Sequence, residues 1–69
     1  MKDWIKVFKS GKIIDAELIK SLLIDHHIEA VIINKIDRSL NFGEATVYCM
    51  PADAEAADII IKQNTSGNE

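Results

Sequence analysis

Sixty-nine residues make one small domain, because two independent cores would each fall below the size that folds unaided. A composition of 48% hydrophobic and 28% charged residues excludes a disordered tail, a collagen and a coiled coil, and a net charge of −3 excludes an overall basic footprint for duplex nucleic acid. A single cysteine, Cys49, excludes an internal disulfide framework and suits a reducing compartment. No apolar run approaches the roughly 20 residues that span a bilayer. Met1-Lys2-Asp3-Trp4 does not open a signal peptide, and the expectation is a cytoplasmic protein.

From Asp3 to Lys9 the alternation of Trp4, Ile5, Lys6, Val7 and Phe8 reads as a first strand, broken by Ser10-Gly11. Leu18, Ile19, Leu22 and Leu23 then recur at the spacing of one helical face, which predicts a helix from about Ile13 to His26. Asp15 and Glu17 near its start suit the positive end of the helix dipole. His27 falls just past the helix end, where the chain commonly turns left-handed, a conformation Gly takes best and His tolerates better than most residues. Ile28 to Lys35 is rich in β-branched residues and predicts a second strand. Ile36 to Gly43 gathers Asp37, Ser39, Asn41 and Gly43 and reads as a hairpin loop. Glu44 to Met50 alternates as a third strand, ended by Pro51. Ala56, Ala57, Ile60 and Ile61, preceded by Asp53 and Glu55, predict a second helix from about Ala52 to Gln63. The domain therefore spans residues 1–63, and residues 64–69, with nothing apolar to bury, form a flexible C-terminal tail.

The order strand, helix, strand, strand, helix predicts an α+β fold, the ferredoxin-like plait lacking its last strand (βαββα). Its three-stranded antiparallel sheet would carry two helices on one face. The missing strand leaves the first strand as an open edge, and open edges recruit partners. If Ile5, Val7, Ala30, Ile32, Val47 and Cys49 face the helices, then Trp4, Phe8, Val31, Ile33, Tyr48 and Met50 face the other way. So large an apolar face marks an interface, since burying four such side chains is worth roughly 6–12 kcal/mol before ordering costs. The interface candidates are Trp4, Lys6, Phe8, Val31, Ile33, Tyr48 and Met50, and the expected partner is another copy of the chain or another protein.

The chemistry-bearing residues form no active site. In Asp25-His26-His27-Glu29, adjacent histidines on a helix point about 100° apart, so the cluster reads as a helix end and no metal is expected. Cys49 on a buried strand behaves as a small hydrophobe. Ser10 and Ser39 lack a His and acid constellation, and Ser10-Gly11-Lys12 is a turn and not a phosphate loop. Aromatics on central strands suggest single-stranded RNA stacking, but only Lys2, Lys6, Lys9 and Lys12 are basic along the first strand, and the glycine-aromatic signature of RNA readers is missing around Tyr48. The expectation is a non-enzymatic protein with no cofactor and no nucleic-acid or membrane partner.

Four segments carry a family resemblance: Trp4-Ile5-Lys6-Val7-Phe8, Asp15-Ala16-Glu17-Leu18-Ile19, Ile28-Glu29-Ala30-Val31 and Val47-Tyr48-Cys49-Met50-Pro51-Ala52-Asp53-Ala54. Over about residues 4–62 the chain resembles the family described as prokaryotic signal transducing proteins, small domains without an assigned molecular activity. It departs from the pattern at His27, where the family has Gly, and at Met50, where it often has Val. The resemblance implies a regulatory role and a PII-like fold, but the short 36–43 loop offers no PII nucleotide loop. The function expected is a small regulatory, signal-transducing or protein-interaction domain acting through its open sheet face and first-strand edge. The alternative is a small-molecule sensor binding a nucleotide or acidic metabolite between subunits near Lys6, Lys35 and Arg38.

Overall fold

In the computed structural model, which describes residues 3–37 and 42–65, the elements run β1 (Ile5–Ser10), α1 (Ile13–Asp25), β2 (Ala30–Asp37), β3 (Phe42–Cys49), a 3-10 turn (Pro51–Asp53) and α2 (Ala54–Thr65). The three strands form one antiparallel sheet in the order β1-β3-β2, with both helices packed on it. This is the α+β βαββα arrangement expected from the sequence. The core joins Ala16, Ile19 and Leu23 of α1, Ala30, Ala45, Val47 and Cys49 of the sheet, and Ala57 and Ile61 of α2. Ile28, between α1 and β2, completes it.

The start of α1 is organised by Ser10. Its Oγ accepts the Lys12 backbone N–H at 3.1 Å and donates to Asp15 Oδ2 at 2.8 Å, while Lys12 at the helix N-cap supplies no side-chain cap of its own. One serine thus ends β1, satisfies an orphan donor ahead of the helix and anchors its first-turn acid. At the other end His27 has φ 65°, the only non-glycine residue with positive φ among those described. The Ile28 N–H donates to Leu23 O and the His27 N–H to Ile24 O, both at 2.9 Å. These are the two bonds of a Schellman closure, and its usual apolar contact is present as well, since Ile28 and Leu23 are both buried in the core. The closure turns the chain directly into β2.

Several boundaries differ from the sequence expectation. The β2–β3 hairpin is longer than its composition suggests: Ile36 pairs with Gly43 and Asp37 with Phe42, so residues read as loop are ladder. Helix α2 runs past the expected end of the domain, and the rest of the expected tail, 66–69, lies outside the described residues. Asn64 and Thr65 close α2, because Asn64 Nδ2 donates to Ile60 O and Thr65 Oγ1 to Ile61 O, each at 2.9 Å. Polar side chains that bond back one turn need no buried surface to stay helical. The burial of α1 is also narrower than its apolar pattern: Ala16, Ile19 and Leu23 are buried, Leu22 is half-buried, and Leu18 is 65% exposed.

The left-handed turn yields a direct test. A β-carbon in this conformation costs about 1–2 kcal/mol, partly offset by the extra freedom glycine has when unfolded. His27→Gly is expected to stabilise the domain by about 0.5–1 kcal/mol, and the β-branched His27→Val to destabilise it by more than that. Urea unfolding midpoints of the two variants against wild type check both signs.

Candidate functional site

The sheet has one face under the helices and one face without them, and β3 fixes which residues belong to each. Its buried residues Ala45, Val47 and Cys49 point to the helices, so Glu44, Thr46 and Tyr48 point away. Directly opposite residues share a face. Val31 and Lys6 oppose Tyr48, Ile33 and Lys9 oppose Thr46, and Lys35 opposes Glu44. The open face is therefore an apolar centre of Val31, Ile33 and Tyr48 around the 7%-exposed Thr46, bordered by lysines. The same alternation places Trp4 and Met50, both half-buried, on this face just beyond the strand ends.

Phe8 is not part of it. The β1–β3 register shifts between Lys6 and Phe8, so that Lys6 opposes Tyr48 while Phe8 opposes Val47. Val7 is the extra residue of a β-bulge, and the bulge carries Phe8 to the helix side. Phe8 there lines an apolar groove of about 530 Å³ with Asp15, Leu18, Ile19 and Leu22 of α1 and Asn64 and Thr65 of α2. A simple period-two reading sends Phe8 to the wrong face because it has no place for an inserted residue. Among the expected interface residues, Lys6, Val31, Ile33 and Tyr48 lie on the face without helices, Trp4 and Met50 fall on its continuation by alternation, and Phe8 joins the partly buried residues packed on the core.

Charge is divided between the two layers. Among the described side chains the sheet carries Lys6, Lys9 and Lys35 against Glu44, and Lys9 Nζ lies 3.4 Å from Glu44 Oε2. Around the helices, Asp15, Glu17, Asp25, Asp53, Glu55 and Asp58 stand with Lys12, Lys20 and Lys62, and Lys62 pairs with Asp58 at 3.1 Å. The helix layer is the more acidic of the two, while Asp3 and Glu29 beside the starts of β1 and β2 offset the lysines of the sheet. The expected ligand cations are not brought together within one chain. Lys6 and Lys35 lie on opposite edge strands and four β3 positions apart, roughly 16 Å between Cα atoms from strand spacings, and Arg38 lies outside the described residues.

The remaining chemistry-bearing groups have local structural roles. His26 caps α1 and His27 makes the left-handed turn, and among the described residues no group of three His, Cys, Asp or Glu is placed to hold a metal ion. Cys49 is fully buried on β3, with Sγ 3.5 Å from Met50 O. Burial, and secondarily the nearby Asp53 carboxylate, push its thiol above the ordinary value. It is held protonated, the unreactive form.

Compared with known protein families, curated proteins and solved structures, the chain matches none. No helix of the described residues is long and apolar enough to cross a membrane.

Two measurements follow from these placements. Phe8→Ser is expected to cost about 2 kcal/mol in unfolding free energy, because the ring packs on the core, whereas Lys6→Ser on the open face should change it by less than about 0.5 kcal/mol. Equal effects in denaturant titrations would return Phe8 to the open face. For Cys49 the folded thiol titrates above the unfolded one, so the stability it contributes is complete below the unfolded pKa and is lost as pH rises through the folded pKa. Wild type should therefore lose more stability than Cys49→Ala above the ordinary thiol value of 9.0, seen as a steeper fall of melting temperature.

Proposed function

We propose that this domain is a small non-enzymatic module of the regulatory or signal-transducing kind, acting by protein interaction through its open sheet face and the free edge of β1. The observation that carries the reading is the uncovered face itself: Trp4, Val31, Ile33, Tyr48 and Met50 gather on one side of a three-stranded sheet whose helices lie on the other. These five side chains are each half-buried, and an apolar sheet face with no helix over it is a common mark of an interface. The edge of β1 adds a row of backbone donors and acceptors that a partner strand can complete. The resemblance to the prokaryotic signal transducing proteins supports the same reading, through the β1 motif around Trp4 and the opening of β2 at Ile28-Glu29-Ala30.

The test is the mass in solution. Light scattering during size exclusion is expected to give wild type an oligomer, and Trp4→Ser with Tyr48→Ser a folded monomer. A double variant that keeps the wild-type assembly places the interface elsewhere.

A further inference from the structure

The groove of about 530 Å³ above Phe8 falls in the range of roughly 300–1,000 Å³ that takes a small organic molecule. One wall is a stripe of α1: Asp15, Leu18 and Leu22 stand at i, i+3 and i+7, so a carboxylate opens a row of aliphatic side chains roughly 10 Å long at about 1.5 Å of rise per residue. The row is accessible, because Leu18 is 65% exposed and Leu22 half-buried. The polar atoms beside it are set to accept. Among the described residues that line the groove, Asp15 is the one charged group, and it pairs with no base. Ser10 Oγ donates to its Oδ2 at 2.8 Å, which holds the carboxylate in place and leaves Oδ1 to accept. On α2, Thr65 donates its single hydroxyl proton to Ile61 O at 2.9 Å, so its oxygen also meets the groove as an acceptor.

We propose that this groove binds a small amphipathic amine, its ammonium on the Asp15 carboxylate and its apolar body along Leu18 and Leu22 over Phe8. The site lies on the helix side and does not depend on the reading of the open sheet face. The lining selects the class of ligand. A carboxylate or phosphate ligand would set a negative charge against Asp15 with no lining base to offset it. A neutral ligand would cover the carboxylate without giving it the charge-assisted bond that an N⁺–H group makes. An ammonium brings the donors that these acceptors lack, and the apolar body adds affinity through the surface it buries against the leucines and Phe8.

Phenylbutylamine, whose length suits the row, is the probe, and phenylbutanol and phenylbutyrate keep its body while making the head neutral or anionic. Titrations followed by backbone amide NMR are expected to centre the amine's shifts on Asp15, Leu22 and Thr65, to give it about fivefold tighter binding than the alcohol, and to show the acid weakest. Asp15→Asn, which can still accept from Ser10, is expected to bring amine and alcohol to equal affinity. Leu18→Ser, changed at an exposed position, is expected to weaken both alike, and the same spectra show that each variant is folded. A chain of net charge −3 attracts any cation weakly, so a preference for the amine that survives Asp15→Asn is that general attraction and overturns the site. Shifts centred away from α1 and the end of α2, an acid that binds as tightly as the amine, or no saturable shift with any of the three probes overturns it as well.

Discussion

Val47 has no exposed surface, and it stands on the central strand between Phe8 of one edge strand and Ile32 of the other. Everything else in the domain is arranged around that row. With Ala45 and Cys49 it forms the floor on which Ala16, Ile19 and Leu23 of α1 and Ala57 and Ile61 of α2 rest. Because strand side chains alternate, placing these three residues under the helices forces Glu44, Thr46 and Tyr48 to the opposite side. The open face is thus a consequence of the core and not a separate feature. A core this small uses nearly every inward position, which leaves the large residues of the other side outside it.

The bulge at Val7 qualifies that symmetry. Without it β1 would place Lys6 and Phe8 together on the open side and leave the groove above β1 without its ring. The inserted residue divides the strand: its first part sends Lys6 to the open face, and its second part sends Phe8 under α1 and Lys9 back to the open side, where it meets Glu44. Short edge strands often carry such bulges, which also twist the edge and discourage indiscriminate pairing. Lysines on β1 act in the same direction. Both features work against indiscriminate addition of a strand at this edge.

Much of the architecture is legible in the chain because local chemistry and long-range packing agree. Helix α1 is announced by its apolar spacing, its end by His27 ahead of Ile28, and the strand order by the sequence of elements. The parts that are not legible are those decided by partners far away in sequence. The position of Phe8 depends on where β3 supplies one residue against two, and nothing in Lys6-Val7-Phe8 itself marks that spot. Leu18 is 65% exposed because the buried stripe of α1 is set by Ala16, Ile19 and Leu23, and membership in an apolar run does not say which of its residues fall on that stripe. Asn64 and Thr65 look like tail because they are polar, yet their side chains bond to the preceding turn and extend the helix. On the candidate site, the open-face residues of β2 and β3 follow from plain alternation, while the separation of Lys6 from Lys35 emerges only from the register of two ladders.

The register also sets an order of assembly. The β2–β3 ladder begins with Asp37 opposite Phe42, residues close along the chain, and can zip from the hairpin outward. The β1–β3 ladder joins Ile5 to Cys49, 44 residues apart along the chain, and its loop-closure entropy must be met before any of its contacts form. β1 is then the strand that docks late, onto a hairpin and helix already in place. By the same reasoning it is the first to detach in partial opening. The surface its detachment would uncover is the other side of β3, with Val47 in its middle. A contact that engages β1 from outside would act as a latch on that opening, and its effect would register as slower release of the whole strand.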